Sequence, residues 1–277
     1  MKSIEIKAPA KINIGLSIVS KRDDGFHNLE TLFYPISDLF DLLTFERDSK
    51  FSFKSNDIRI IEDNNNLIVK AKNILEVVTN KKITAKIFLK KNIPIGAGMG
   101  GGSSDAAVTL VCLNELLGLG LNFDVLSNLA LELGSDVPFF LKAKPSIGKS
   151  RGEKLQLVDV EINRPILIIN PGIHISTKAA FENIVPKKAA ISYEEISKKV
   201  NDYEFLKSSV KNDFEEKIFM LYPEIKKIKN MLYDNGAKFA LMTGTGSTVY
   251  GIFEDSNEAE SARELLPENF FSFISYP

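Results

Sequence analysis

The sequence is poor in cysteine, has no tryptophan and contains no long apolar run. Its one cysteine, Cys112, excludes a disulfide within the chain, and no apolar stretch reaches the roughly 18 residues that a membrane-spanning helix needs. Neither sign of charge is in excess, because 35 Lys and Arg stand against 36 Asp and Glu, so no overall field attracts nucleic acid or an anionic membrane surface. The amino-terminal segment lacks the apolar core of a signal peptide, so we expect a cytoplasmic protein with neither kind of partner.

What the sequence does have is length and apolar content. With 277 residues, of which 44% are hydrophobic, the chain can bury a core of enzyme size in one large domain or two closely packed ones. Strand-like and helix-like stretches come in blocks without steady alternation, which predicts an α+β fold with mostly antiparallel sheets. Because the pattern restarts near residue 155, we predict domains over residues 1–154 and 155–277.

Alternating apolar residues predict strands at several places. Two lie within residues 4–18, separated at Pro9, and a β-hairpin with a following strand is predicted in residues 42–61. Further strands are predicted at residues 83–90, at 164–170 and, as a pair joined by a glycine turn, at 238–253.

Helical periodicity predicts a helix over residues 67–78, a buried helix after the glycine-rich stretch, another that begins behind Asp124, and a largely helical segment at residues 193–229. In three of these helices, single residues indicate where the helix begins or ends. The predicted signals are the N-caps Asn66 and Ser103 or Ser104, and the left-handed terminator Gly134.

The most informative stretch is PIGAGMGGGSSDAA at residues 94–107. It holds five glycines within seven residues, namely Gly96, Gly98, Gly100, Gly101 and Gly102. Each costs about 0.5–1 kcal/mol relative to alanine in regular structure, so a cluster indicates close approach of another molecule or positive φ. The stretch leads into a helix, whose first N–H groups attract anions. We therefore predict a phosphate-binding loop rather than a flexible turn, with Ser103 and Ser104 as additional donors.

Other glycine loops fit less well. GAGMGG satisfies the dinucleotide fingerprint G-x-G-x-x-G, but the preceding strand carries Thr84, Lys86 and Lys90 on one face, whereas that fold needs a strand buried on both faces. The sequence has no Walker motif, no H-R-D or D-F-G set of protein kinases and no G-x-S-x-G esterase elbow.

Three segments, in order, resemble the signatures of the GHMP small-molecule kinases. They are PAKINIGL at 9–16, PIGAGMGGGSSDAA at 94–107 and MTGTGSTVYGIF at 242–253. Within that family, DDGFHNLET, NNLIVKA, GSDVPFF and NDFE are similar to the branch that phosphorylates the 2-hydroxyl of a cytidine-diphosphate-linked methylerythritol in isoprenoid precursor biosynthesis. The resemblance spans nearly the whole chain. It implies a two-domain α+β fold, with ATP in the N-terminal domain and the alcohol in a cleft between domains.

The resemblance implies that Asp136 accepts the hydroxyl proton and that Lys11 lies beside it. An adjacent ammonium would keep the carboxylate ionised and stabilise the attacking oxygen. Taken without the resemblance, Asp136 suits the N-cap of a helix near Pro138, and Lys11 suits the solvated face of a strand.

The resemblance also implies which residues bind the two substrates. The predicted ATP contacts are Lys91, Pro94, Gly96, Gly98, Gly100, Gly101, Gly102, Ser103 and Ser104, with Leu67 and Ile68 as candidate walls for the adenine. Gly244, Thr245 and Gly246 are expected to support the phosphate loop or to form a tight turn. Magnesium is expected to arrive with ATP, because its preference for oxygen suits phosphates, and the sequence shows no acidic cluster that would hold a metal by itself.

The predicted contacts of the alcohol substrate are Asn13, Phe26, His27, Thr177 and Phe181. Asn13 follows Lys11 by two residues and so shares its face of the strand. Phe26 and Phe181 would stack on the cytosine and His27 would bind its edge, although the family usually has tyrosine where this chain has Phe26. Without the resemblance, Phe26 suits the core and His27 the surface. His174 is predicted to be structural.

Three other functions stay open at this point. A GHMP kinase for mevalonate or homoserine is disfavoured by the predicted cytidine contacts, and a catalytically silent nucleotide-binding regulator is disfavoured by the presence of both Lys11 and Asp136. A nicotinamide oxidoreductase would rest on the glycine spacing alone. We expect a monomer or a weak homodimer.

Overall fold

The structure is a computed structural model that describes residues 3–182 and 184–276. Its contacts divide the chain into two units, neither of which is continuous along the sequence. The first contains the chain up to Ala10, Leu39–Ile95 and Gly100–Ala143, and the second contains Lys11–Asp38, Gly96–Met99 and the chain from Lys144 onward. The predicted boundary between residues 154 and 155 stays a prediction. No helix in the described ranges is long and apolar enough to cross a membrane.

The described residues form ten strands. They are β1 (Ser3–Lys21), β2 (His27–Arg47), β3 (Ser52–Ser55), β4 (Ala85–Lys90), β5 (Ser146–Ser150), β6 (Lys154–Leu157), β7 (Ile166–Asn170), β8 (Phe239–Met242), β9 (Val249–Ile252) and β10 (Phe271–Ser275). The strands predicted at residues 83–90, 164–170 and 238–253 are confirmed as β4, β7 and the pair β8 and β9.

The predicted break at Pro9 is wrong, because β1 is continuous through it. A proline fits a strand wherever the sheet does not need its missing N–H, so the residue alone does not mark an end.

The predicted hairpin in residues 42–61 is also wrong. β3 runs parallel to β4, and β4, not β3, lies antiparallel to β2. Burial explains the choice: Leu43 and Phe45 of β2 lie opposite Leu89 and Ile87 of β4, and all four side chains are buried. Residues 56–61 form turns instead of the predicted third strand.

Ten helices complete the described chain. They are α1 (Leu67–Thr79), α2 (Gly101–Leu117), α3 (Phe123–Leu133), α4 (Val137–Phe140), α5 (Thr177–Phe181), α6 (Tyr193–Lys198), α7 (Tyr203–Ser209), α8 (Glu215–Leu221), α9 (Pro223–Asp234) and α10 (Ser256–Glu264). The helical content predicted for residues 193–229 is confirmed, and the α+β class with it.

The helix ends test the predicted signals one by one. Asn66 caps α1 as predicted, with its Oδ1 accepting from Ile68 N at 2.9 Å. α3 begins at Phe123, capped by Asn122, so Asp124 lies inside its first turn, where a carboxylate is favoured by the helix dipole. Gly134 does end α3, but with an extended φ of 167°, so the predicted left-handed terminator is wrong.

In the first unit the strand order is β3-β4-β2, and α2 contacts α1, α3 and α4. Ala106, Leu110 and Leu113 of α2 are fully buried. The helix that follows the glycine-rich stretch is therefore the central helix of this unit.

In the second unit, β2 pairs with β5 and β5 with β6, both antiparallel. A separate four-stranded antiparallel sheet has the order β10-β7-β9-β8, and α9 packs against β8 and β9. Leu167, Phe214 and Phe253 belong to the core of this unit. The β8–β9 pair thus holds the glycine turn of residues 243–248 at its end.

Candidate active site

The amino terminus of α2 has no side-chain cap. Its N-cap is Gly100 with a left-handed φ of 72°, and its first turn contains no acidic residue. Ser103 and Ser104, predicted as caps, lie inside that turn instead, because Gly100 adopts the left-handed conformation that ends the loop. Ser104 is fully buried, and its Oγ has no hydrogen-bond partner within the described part of the chain. The helix end thus offers N–H groups and a buried hydroxyl, which suits an anion such as phosphate.

The glycines before the helix are required by packing inside the second unit. A Cβ on Gly98 would lie 2.6 Å from the carbonyl oxygen of Thr243 and 2.9 Å from that of Gly246, and its φ is +77°. A Cβ on Gly96 would lie 2.8 Å from Nδ1 of His174. The loop therefore contacts the glycine turn that was expected to support it, and His174, expected to be structural, lies against the loop.

The glycines of the helix itself differ from one another. A Cβ on Gly101 would lie 2.9 Å from Nζ of Lys91 and 3.3 Å from Oδ2 of Asp41, so a buried charge cluster requires this glycine. At Gly102 the nearest atom would be Cδ1 of Leu67 at 3.8 Å, an ordinary contact distance. Space beside the main chain is therefore kept at Gly102, next to one of the two predicted adenine walls. The other, Ile68, is 2% exposed and belongs to the core.

The charge cluster consists of Lys91, Asp41 and Asp105, whose side chains are 7%, 0% and 5% exposed. Nζ of Lys91 binds Oδ2 of Asp105 at 2.9 Å and also contacts Oδ2 of Asp41. Oδ1 of Asp41 accepts from the main-chain N–H groups of Asn92 and Ile93 at 2.7 and 2.9 Å. The ammonium predicted to contact ATP is thus bound inside the first unit, where it ties β2 and the loop after β4 to α2.

Burial governs the electrostatics of this cluster. It raises the pKa of Asp105 to about 7, with Lys91 opposing and Asp41 adding to the rise. Burial also opposes ionisation of Lys91, but the charges of Asp105 and Asp41 outweigh it and raise the pKa of Lys91. Oδ1 of Asp105 is buried without a hydrogen-bond partner in the described ranges. Burial therefore favours the neutral form of the Asp105 carboxyl at pH values where an exposed aspartate is ionised.

In the second unit, Lys11 is 3% exposed and donates from Nζ to Oδ1 of Asn13 at 2.6 Å and to the carbonyl of Gly98 at 2.8 Å. The shared face predicted for Lys11 and Asn13 is confirmed, and the alternative of a solvated Lys11 is wrong. Oγ1 of Thr243 donates to the same Asn13 oxygen at 3.1 Å, and Nδ2 of Asn13 donates to Oγ1 of Thr31 at 2.9 Å. These contacts fix the ammonium against the main chain of the glycine loop.

Asp136 lies in the first unit, directly before α4. Its backbone is helical with φ of −86°, and its side chain makes no capping hydrogen bond to α4. The N-cap function that the residue type alone suggests is therefore not what this side chain does. Its pairing with Lys11 stays a prediction.

The predicted cytidine contacts lie in the second unit. His27 stacks on Phe181 with ring centroids 5.0 Å apart and an angle of 25°, and Phe181 meets Phe214 edge-on at 4.9 Å. Burial, followed by the charge of Lys21, lowers the pKa of His27, so its ring is neutral at pH 7. Phe181 therefore stacks on His27, which is another of the predicted cytidine contacts.

Phe26 is 47% exposed, so it is not a core residue. Its ring is covered by the guanidinium of Arg151, whose Cζ lies 3.8 Å from the ring centroid. Thr177, the first residue of α5, is exposed. Sequence reasoning missed Arg151, because an arginine in a turn carries no distinguishing pattern.

Among residues 3–182 and 184–276, no group of three or more His, Cys, Asp and Glu is arranged to hold a metal ion.

Comparison with known proteins shows the family. The descriptions "GHMP kinases N terminal domain" and "GHMP kinases C terminal" match residues 66–144 and 188–271. The 4-diphosphocytidyl-2-C-methyl-D-erythritol kinase of Chlorobium phaeobacteroides (strain BS1) is 38% identical over 283 residues, which cover 100% of this chain and 98% of the relative. The chain belongs to the 4-diphosphocytidyl-2-C-methyl-D-erythritol kinase family.

Two solved structures distinguish membership of the same family from similarity of fold alone. The crystal structure of a 4-(cytidine 5'-diphospho)-2C-methyl-D-erythritol kinase matches with a TM-score of 0.84 and 32% identity over 98% of each chain. The homoserine kinase from Cytophaga hutchinsonii ATCC 33406 matches with a TM-score of 0.73 over 99% of this chain and 95% of the other, but is 19% identical, so it shows the fold alone. This chain is thus an ATP-dependent kinase with the two-domain α+β GHMP fold that the resemblance implied.

We expect opposite effects from alanine at two glycines of the loop. Gly98→Ala should lower the free energy of unfolding by at least about 2 kcal/mol, because its Cβ would meet a main-chain oxygen at positive φ. Gly102→Ala, inside α2 and with open space, should be neutral or raise it by up to about 1 kcal/mol. Urea unfolding of the two variants measures the difference, and equal destabilisation would contradict the packing described above.

Asp105→Asn should change how stability depends on pH. Burial raises the pKa of Asp105 from 3.8 to about 7. The carboxyl therefore makes its full contribution to the free energy of unfolding below the unfolded-state pKa of 3.8, and this contribution is lost as the pH rises through the folded-state pKa of about 7. Asparagine does not titrate. We expect the unfolding free energy of the variant, relative to the wild type, to increase from about pH 5 to about pH 8, by at most about 1.4 kcal/mol per pH unit.

Urea unfolding across that pH range is the measurement, with Asp124→Asn in the first turn of α3 as the control. A difference between Asp105→Asn and wild type that stays constant with pH would show that Asp105 does not titrate there.

Proposed function

We propose that this chain transfers the γ-phosphoryl group of ATP to the 2-hydroxyl of 4-diphosphocytidyl-2-C-methyl-D-erythritol. The observation that carries the proposal is the position of Lys11, whose buried ammonium is held by Asn13 against the carbonyl of Gly98 in the glycine loop. A lysine so fixed beside the glycine loop suits the charge stabilisation that phosphoryl transfer needs.

The amino terminus of α2 would bind the phosphates of ATP. Its uncapped N–H groups and the buried Oγ of Ser104 provide donors, and Gly102 leaves space beside the main chain. Bound ATP supplies the phosphoryl group, and magnesium bound with it neutralises phosphate charge. Lys91 stabilises this helix end through its ion pairs with Asp41 and Asp105, and not by direct contact of its ammonium with ATP.

Asp136 and Lys11 would carry the proton chemistry. The hydroxyl oxygen forms a bond to the γ-phosphorus while the bond from that phosphorus to the β–γ bridging oxygen breaks, and ADP leaves. The carboxylate of Asp136 takes the proton that the hydroxyl gives up, and Lys11 stabilises the negative charge that develops on the attacking oxygen. Asn13 holds Lys11 in place through its Oδ1, and its own contact with the alcohol remains part of the proposal.

The cytidine end of the acceptor would lie at Phe26, His27, Thr177 and Phe181. The neutral ring of His27 can donate one hydrogen bond and accept another, which suits the edge of a cytosine. The relatives, which match 88% to 100% of this chain, favour this acceptor over another small alcohol. A cytoplasmic location and a monomeric or weakly dimeric state complete the proposal.

The substrate assignment is tested by turnover. Purified protein with MgATP is given the cytidylyl substrate, mevalonate or homoserine in separate reactions, and ADP and the phosphorylated product are measured. We expect turnover of the cytidylyl substrate alone. Turnover of mevalonate or homoserine alone would replace this proposal by the alternative kinase.

Asp136→Asn should lower kcat by roughly 10² or more, because a general base is removed while the shape of the side chain is kept. Affinity for ATP, measured by calorimetry, should stay close to that of the wild type. Asp124→Asn, another carboxylate at the start of a helix in the same unit, is the matched control and should keep full activity. An unchanged kcat in Asp136→Asn would show that another group accepts the proton.

A further inference from the structure

The glycine turn between β8 and β9 is held by a buried side chain from outside its sheet. Nδ2 of Asn212 donates to the carbonyl oxygens of Met242 and Gly244, at 2.8 Å in both cases. Asn212 is 2% exposed and begins the NDFE segment, whose likeness to the family predicts no function by itself. The two hydrogen bonds fix the place where the chain leaves β8 and enters the turn.

Asn212 is itself fixed to β1. The main-chain N–H of Leu16 donates to the carbonyl of Lys211 at 2.9 Å. The N–H of Asp213 donates to the carbonyl of Leu16, also at 2.9 Å. The residues on both sides of Asn212 are therefore bonded to the main chain of the strand that carries Lys11, and Asn212 connects this strand to the glycine turn.

The other side of the turn contacts the acceptor of the Lys11 ammonium. A Cβ on Gly244 would lie 2.9 Å from the carbonyl oxygen of Gly98, and a Cβ on Gly98 would lie 2.6 Å from the carbonyl oxygen of Thr243. The same carbonyl of Gly98 accepts from Nζ of Lys11 at 2.8 Å. Since main chain packed this closely transmits displacement, a shift of Gly244 would move the oxygen that holds the ammonium.

These contacts form a closed circuit that begins and ends on β1. It passes from β1 through Asn212 to Gly244, then to Gly98, and returns to Lys11 on the same strand. The link at Asn212 joins two carbonyl acceptors to one side chain, which needs a group with two N–H donors, as the amide of asparagine has. Precision matters here, because a displacement of about 1 Å in a catalytic group can lower a rate by about 100-fold.

We propose that Asn212 is a positioning residue for phosphoryl transfer, which holds the glycine turn against Gly98 and so keeps the ammonium of Lys11 where negative charge develops. The inference rests on the proposed function for what Lys11 does, but not for which alcohol is the acceptor. Asn212 does not touch the substrates. Its effect on the rate passes through Lys11.

The test is a double-mutant cycle that combines Asn212→Asp with Lys11→Met. Asn212→Asp keeps an oxygen to accept from the N–H of Phe214, as Oδ1 does at 3.0 Å, and replaces the donors to the turn by a carboxylate oxygen. In the presence of Lys11, kcat should fall by about tenfold or more, because the carbonyl of Gly98 is displaced. In Lys11→Met, which lacks the ammonium, the same substitution should lower kcat by no more than about twofold.

The rates are measured in single turnover with excess enzyme and labelled ATP, so that slow variants can be compared. The alcohol is whichever of the cytidylyl substrate, mevalonate and homoserine the wild type phosphorylates. A wild type that phosphorylates mevalonate or homoserine alone overturns the proposed acceptor and leaves the cycle measurable.

Asn170→Asp is the matched control. Nδ2 of Asn170 is buried at the same turn, but it donates to the hydroxyls of Ser247 and Thr248, at 3.2 and 2.9 Å. A hydroxyl can reverse its bond and donate to a carboxylate, whereas a carbonyl cannot. This variant should keep kcat within about threefold of the wild type, and a loss equal to that of Asn212→Asp would show only the cost of a carboxylate buried at the turn.

Equal proportional losses of kcat from Asn212→Asp with and without Lys11 would overturn the inference, because the effect would not pass through the ammonium. An unchanged kcat in Asn212→Asp would overturn it as well. If that variant does not fold, Gly244→Ala takes its place in the cycle with the same expected results, because its Cβ would displace the carbonyl of Gly98 from the turn side.

A crystal structure of Asn212→Asp, or of Gly244→Ala in its place, gives a readout that needs no turnover. The separation of Nζ of Lys11 from the carbonyl oxygen of Gly98, which is 2.8 Å in the wild type, should exceed hydrogen-bonding distance, about 3.5 Å. An unchanged separation would contradict the inference whatever the kinetics show.

Discussion

The main chain at Gly98 lies so close to the turn after β8 that no side chain fits between them, and the geometry around Lys11 depends on this contact. Carbonyl oxygens of Thr243 and Gly246 approach from one side, and the carbonyl of Gly98 itself accepts a hydrogen bond from the Lys11 ammonium. Asn13 joins the two, because it binds both Lys11 and Thr243. A buried ammonium is stable where carbonyl and amide oxygens replace its water, and Oδ1 of Asn13 and the carbonyl oxygen of Gly98 do this for Lys11.

The glycines of this stretch therefore have two functions, internal packing and access to the helix end, which the sequence alone does not distinguish. Gly96, Gly98 and Gly101 are bare because His174, the glycine turn and the Lys91 cluster occupy the space that a Cβ would need. Of the two glycines inside α2, Gly101 is closely packed, whereas Gly102 has open space beside it. Most of the glycine content builds the protein's own packing, and a smaller part leaves the helix end accessible to an anion.

Several features that depend on residues close together in the sequence were predicted correctly. The cap at Asn66 and the pair β8 and β9 followed from neighbouring residues, and the family motifs indicated the glycine-rich loop, whose binding of phosphate is part of the proposal. Partners distant in sequence were missed. The Asp41–Lys91 ion pair spans 50 residues, and β2 pairs with β4 instead of β3 because this pairing places buried apolar side chains opposite one another. The serine caps failed because a left-handed Gly100 ends the loop one turn earlier than a side-chain cap would.

The second unit is assembled from both ends of the chain, with the short segment Gly96–Met99 inserted between two stretches of the first. The main-chain N–H of Asn13 finds its acceptor, the hydroxyl of Thr243, 230 residues further on. This hydrogen bond can therefore form only after residue 243 has been synthesised. A break anywhere between residues 13 and 243 would place the two partners of this hydrogen bond on separate fragments.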